Sequence, residues 1–507
     1  MQSLQKELLS SFEKNRELNA FCIANNHYTY GQLEQKVNGI RNAIRSNAKE
    51  ENEHMGLVLS DSLETYASIL ACWLENKAYV PISLTSPKER NQSVLQQAEV
   101  HILLSAKEVP GYDEYLIIDT EPLVNASLQD RGGDYDNDSL AYIFFTSGTT
   151  GTPKGVPITF SNLIAFCKAF DQMVCTIDHT DKCLQMFELT FDLSVMSYLI
   201  PLLKGACVYT IPDDTIKYGY IVELMEDKQL TFALMVPSIL QYLRPYFSEI
   251  NCTSMKNNLF CGEALPLDVT QEWANCIPNA TIMNVYGPTE DTIFCTELVY
   301  NRSGENKSHN GVLSIGKPMK GVHTIIVNDD QKILPPGEKG ELCLGGAQLT
   351  RGYWKNPEKN NATFFTTTYM GKETRFYKTG DLCFMDGDGD IMYSGRVDFQ
   401  AKIQGFRVEL SEVELYAKQA LDKKNAVAVA FKNKMGNTEI GLVIEGEKMD
   451  IKPVMAHMKS KMPVYMIPTQ TRFMDVFPLN TNGKTDRKQL TSLFLGKKIE
   501  NSTPNNE

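Results

Sequence analysis

YIFFTSGTTGTPKGV, residues 142–156, is the stretch that decides the fold. Tyr142, Ile143, Phe144 and Phe145 read as a short buried strand, which breaks off into a run of Thr, Ser and Gly that closes on Lys154 and Gly155. Gly148, Gly151 and Gly155 can take up backbone angles closed to larger residues, so such a loop can turn N–H groups and hydroxyls toward one anion. Turns of this composition also follow strands in many α/β proteins. Lys154 adds the cation that a polyphosphate requires. A Walker A loop is excluded, because Pro153 precedes the lysine and Gly155 follows it.

A chain of 507 residues with 42% hydrophobic side chains can build large cores, and those side chains are spread too evenly for membrane spans. The first fifteen residues, MQSLQKELLSSFEKN, have neither a basic leader nor an unbroken apolar run; they read as an amphipathic helix rather than a signal peptide. The twelve cysteines contain no CxxC pair and the seven histidines no HxxxH, so reduced, buried thiols in a cytoplasmic protein are expected. A net charge of −12 argues against nucleic acid or anionic lipid as partner. From Phe399 onward the balance is +5; most of these lysines read as an ordinary solvated surface, and a basic small domain would also suit closing over a nucleotide.

HMGLVLSDS, SLETYASILACWLENK and AYVPISL read as strand, helix and strand, the alternation of a parallel sheet. From Gly316 to Tyr393 the sequence is strand-rich, with DGDGD at 386–390 as a hairpin turn rather than a calcium loop. Ser411 to Glu414 resembles a capping box that opens a helix. The expected fold is α/β: a large N-terminal domain (1–397) of parallel-sheet subdomains with a small β-barrel-like subdomain, and a small α+β C-terminal domain (398–507).

TSGTTGTPKGV resembles the phosphate-binding signature of the adenylate-forming superfamily, which contains acyl-CoA synthetases, luciferases and the adenylation domains of nonribosomal peptide synthetases. NVYGPTEDT, YKTGDL, GRVD and PLNTNGKTDRKQL match further motifs of that superfamily in its order. The resemblance implies ATP and Mg²⁺ as cofactors, with Thr146, Ser147, Gly148, Thr149, Thr150 and Lys154 around the phosphates. It implies that Tyr286 and Gly287 lie against adenine, that Thr289 reaches the α-phosphate and that Glu290 holds Mg²⁺. Asp381 would bind the ribose hydroxyls, Arg396 the ribose or phosphate, and Asp398 would mark the hinge. Lys484 would bridge the substrate carboxylate and the α-phosphate once the small domain closes, stabilising the charge that develops there.

FDLSVM, residues 191–196, departs from the luciferases and CoA ligases. Asp192 matches the aspartate that binds the α-ammonium in amino-acid-activating members, and an acid lacking an amine would leave it unpaired. Leu193, Met196, Leu234, Leu259, Cys261, Val285, Ile293 and Phe294 fall at the remaining pocket positions, with no second charge among them. FDLSVM, FCGE and TIMNVYGPTE resemble D-alanine:D-alanyl carrier protein ligases, although Val285, Ile293 and Phe294 are bulkier than that group would suggest. The chain ends soon after Lys484 without a phosphopantetheine attachment motif, so a separate carrier protein is the expected acceptor. D-Alanine leads; glycine, L-alanine or a branched aliphatic amino acid, a CoA ligase for a non-amino acid, and an inactive nucleotide-binding scaffold stay open.

Overall fold

The structure, a computed structural model, describes residues 3–125, 135–148, 151–212, 215–398, 400–421, 425–479 and 485–495. Thr149, Thr150 and Lys484 therefore lie outside the described residues. The chain divides into two compact units: Met1–Leu84, Gln92–Thr146 and Lys154–Asp398 form the first, and Thr85–Asn91, Ser147–Pro153 and Phe399–Glu507 the second.

The first unit contains two large, mainly parallel sheets. In one of nine strands, Thr281–Tyr286, Asn257–Phe260, Phe232–Met235, Lys182–Gln185, Cys207–Thr210 and Asn19–Ile23 lie side by side and parallel. A second, of six strands, runs Leu116–Asp119, Ile102–Ser105, His54–Val58, Ala78–Ile82, Leu140–Thr146 and Lys154–Thr159. Strands such as Ala78–Ile82 and Phe232–Met235 are buried at every residue, as expected where both faces of a parallel sheet are covered. The third sheet has five antiparallel strands around the long strand Lys372–Met385, which carries the YKTGDL motif. Asp386 to Asp390 forms the hairpin turn into Ile391–Arg396. The N-terminal helix is present as Leu4–Lys14. Among the described residues no helix is long and apolar enough to cross a membrane.

The second unit has a hairpin, Gln400–Ile403 with Phe406–Glu409, and a three-stranded sheet packed against Leu410–Ala420. The capping box expected at Ser411 does not form. The helix starts at Leu410 straight out of a strand, Glu409 is its N-cap, and no side chain caps it. Glu414, which would have closed the box, instead accepts the Ala428 N–H at 2.9 Å and pairs with Arg487 at 2.6 Å.

Candidate functional site

In open parallel sheets, ligands bind beyond the carboxyl ends of the strands. The expected amino-acid pocket follows that rule in the nine-stranded sheet. Leu234 and Leu259 are register partners on adjacent strands, and Val285 sits near the end of the next strand. Cys261 follows directly on its strand and donates its N–H to Met235 O at 3.0 Å. Each of the eight lining residues is at most 2% exposed. The Phe294 ring meets Phe166 edge-on at 5.0 Å. Gly287 lets this chain segment close up, since a Cβ there would stand 2.4 Å from the Phe294 Cα.

Asp192 is the N-cap of helix Leu193–Lys204, yet its side chain makes no capping hydrogen bond. It is 3% exposed, and its Oδ2 has no hydrogen-bond partner. An unsatisfied oxygen on a buried carboxylate is costly and calls for an explanation. Burial pushes its pKa up to about 7; a hydrogen bond from Thr289 pulls it down, and the nearby charge of Glu290 raises it further. The raised pKa means that the folded chain keeps a proton which the unfolded chain releases from about pH 4 upward. Asp192 therefore costs stability progressively as pH rises toward 7 and fully above it. An ammonium ligand needs the ionised form. The amino-acid KM should thus fall between pH 6 and 8, while Asp192→Asn should raise Tm at pH 8 but not at pH 4.

Glu290 is fully buried in the short helical turn Thr289–Asp291. Its Oε1 accepts the Tyr353 hydroxyl at 2.6 Å, and Tyr353 Oη lies 3.3 Å from Tyr377 Oη. The Lys154 ammonium stands 5.4 Å from the centre of the Tyr353 ring. Tyr353 thus ties the expected phosphate lysine to the expected metal carboxylate. Nothing in the sequence marked it beyond an aromatic after Arg-Gly. The donor set fits Mg²⁺, a hard cation that takes one or two protein carboxylates beside nucleotide phosphates. Among the described residues, no three His, Cys, Asp or Glu side chains group as a closed metal cage. Glu290 would be the carboxylate holding the ion, whose chemistry is to neutralise phosphate charge. Removing one partner of a charged hydrogen bond costs about 1.5–3 kcal/mol. Tyr353→Phe should therefore lower ATP turnover roughly tenfold and raise the Mg²⁺ concentration needed for half-activity, with little change in Tm.

Asp381, expected at the ribose, is 3% exposed and has both oxygens engaged. Tyr286 Oη donates to Oδ2 at 2.5 Å, and Arg396 Nη1 donates to Oδ1 at 2.6 Å. A carboxylate accepts about four hydrogen bonds, so two sugar hydroxyls can still be added. Arg396 also grips Asp398 through two bonds, at 2.6 and 2.9 Å. Gly380 holds φ +76°, a left-handed conformation that a larger residue would be strained to adopt.

One expectation about the phosphate loop is corrected. Of its three glycines, only Gly151 has positive φ. Gly155 lies in a strand, and its lack of a side chain serves packing: a Cβ would come within 3.0 Å of Phe145 and Trp354. Thr146, with its Oγ1 unpartnered, and Lys154 belong to the first unit. Ser147 and Gly148 belong to the second. There Ser147 Oγ donates to Arg407 O at 2.8 Å, and the Gly148 N–H donates to Glu412 at 3.2 Å.

The pocket positions contain a single charge, but the structure buries a second carboxylate in the adjoining loop. Asp291 is fully buried, neither of its oxygens has a nitrogen or oxygen donor as partner, and only the Cys295 thiol, a weak donor, lies against its carboxyl. Burial pushes its pKa up to about 8, the Cys295 thiol pulls it down, and Glu290 raises it. The same loop places Thr292 and Ile293 at φ +54° and +74°. Such strain costs roughly 1–3 kcal/mol per residue and clusters at functional sites.

Residues 10–354 match the AMP-binding enzyme family. The chain is 31% identical over 504 residues to gramicidin S synthase 1 of Brevibacillus brevis, covering 96% of this chain and 44% of that protein. It is also 31% identical over 480 residues to tyrocidine synthase 1 of Brevibacillus parabrevis, covering 93% of this chain and 43% of that one. The chain thus spans less than half the length of these curated relatives. Among solved structures, the Vibrio cholerae adenylation domain AlmE, in complex with glycyl-adenosine-5'-phosphate, superposes with a TM-score of 0.85 at 23% identity, covering 98% of each chain. A four-domain nonribosomal peptide synthetase bound to AMP and glycine superposes with a TM-score of 0.70 at 26% identity, over 99% of this chain and 37% of that one. With its motifs in order and a family match over most of its length, the chain belongs to the AMP-binding enzyme family, within the adenylate-forming superfamily.

Proposed function

We propose that the protein activates a small amino acid with ATP and Mg²⁺, releasing pyrophosphate to give an aminoacyl-adenylate, and passes the acyl group to the phosphopantetheine thiol of a separate carrier protein. The observation that carries this reading is the buried, unpartnered Oδ2 of Asp192 beside the Thr289–Glu290 turn. It asks for an ammonium, and an α-amino acid brings one next to the carboxylate that attacks phosphorus. Lys154 and Thr146 would hold the phosphates, Glu290 the Mg²⁺, Tyr286 the adenine and Asp381 the ribose. Lys484, on the small C-terminal domain with its hinge near Asp398, would enter as the cation of the adenylation step. The lining residues are apolar and almost wholly buried, which suits a small or modest apolar side chain. D-Alanine leads on motif resemblance. Glycine is the second reading, supported by two similar structures that carry glycyl-adenylate or glycine. All twelve cysteines are buried and none forms a disulfide, in keeping with a reducing, cytoplasmic setting.

The test is thioester formation from labelled amino acid, ATP and Mg²⁺ with a phosphopantetheinylated carrier protein or coenzyme A as acceptor. Transfer to the carrier at rates well above coenzyme A supports the proposal. Transfer only to coenzyme A replaces it with a CoA ligase.

A further inference from the structure

Thr292 and Ile293 are consecutive β-branched residues in the left-handed region, a conformation that such residues rarely hold unaided. Gln348 ties the carbonyls of this turn together. The Gln348 amide Nε2 donates to the carbonyls of Asp291 at 3.2 Å, Thr292 at 3.3 Å and Phe294 at 3.0 Å. In return, Thr292 Oγ1 donates to Gln348 O at 2.5 Å. Gln348 is 1% exposed and its Oε1 has no partner, so only its donor end is in use. The segment that carries it is anchored from behind, where Asn162 Nδ2 donates to the carbonyls of Ala347 at 3.0 Å and Leu349 at 3.1 Å.

We propose that Gln348 is a positioning residue that sets the size of the acyl pocket: it clamps the strained turn so that Ile293 and Phe294 are held against the space the substrate side chain must enter. This rests on the proposed reading of those two residues as pocket lining. Without the amide, three buried carbonyls lose their donor and the turn can relax to ordinary angles, withdrawing Ile293 from the pocket.

The test is ATP–pyrophosphate exchange by Gln348→Met, which keeps the volume and removes the donor, with alanine, valine and leucine. The valine-to-alanine ratio of kcat/KM should rise at least tenfold while the KM for ATP stays unchanged. Adding Thr292→Asn, a residue that tolerates positive φ, should return the ratio toward its original value. If Gln348→Met accumulates poorly, Gln348→Asn, which shortens the reach by one methylene, should give the same rise. An unchanged ratio in an active variant, or a loss shared equally by every amino acid, overturns the clamp. If the unmodified protein exchanges only with acids lacking an amine, the amino-acid reading fails, and the clamp is tested on short against branched acyl chains.

Discussion

Asp192→Ala should lower kcat/KM for the amino acid by roughly 30- to 5,000-fold, the range expected from about 2–5 kcal/mol for truncating one partner of a buried charge pair. The loss should fall mainly on the amino-acid KM, because the carboxylate holds the ammonium equally in the ground and transition states. Folding should not suffer. Without substrate Oδ2 already lacks a partner, and burial drives the pKa of the group up. A matched carboxylic acid lacking the amine should become a better substrate for the variant than for the parent, since it no longer strands a buried charge. Substrate-dependent exchange and thermal unfolding of the two proteins provide the check. Equal amino-acid kinetics would remove Asp192 from the site.

Glu290→Gln should lower adenylate formation by about 100-fold or more while raising Tm. Losing the ion's carboxylate removes several kcal/mol of charge stabilisation from the phosphate chemistry. The stability gain follows from the neighbourhood: the charge of Glu290 raises the pKa of both Asp192 and Asp291, so removing it relieves buried repulsion as those groups ionise, most fully above about pH 8, where the melting curve is read. A residue whose loss stabilises the fold and disables the reaction is there for function. Mg²⁺-dependent exchange measured beside a melting curve tests both halves. A variant that melts lower and keeps its activity would make Glu290 structural.

Much of this site could be read from the sequence because its motifs are local. The strand before the phosphate loop, the βα alternation around Leu63–Leu74 and the hairpin at 386–390 follow from patterns a few residues long. What stayed hidden acts across the chain. Tyr353 meets Glu290 from 63 residues away. Gln348 reaches the strained turn from 54 to 57 residues away, and neither sits in a pattern that marks it. Asp291 was visible only as the second of two adjacent acids, and its burial without partners is a property of packing. The failed capping box has the same cause, since Glu414 has distant partners in Ala428 and Arg487 that outcompete the local one. Gly155 read as a residue placed for unusual backbone angles, but it is glycine because Phe145 and Ile143 on the neighbouring strand and Trp354 in a loop crowd it.

The most direct test of the central claim is ATP–pyrophosphate exchange by the purified protein with glycine, D-alanine, L-alanine, valine and leucine beside a fatty acid and an aryl acid. The account predicts strong exchange with glycine or an alanine enantiomer, weak exchange with valine and leucine, and none with the acids lacking an amine. Exchange confined to those acids, or absent with every acid, would contradict it.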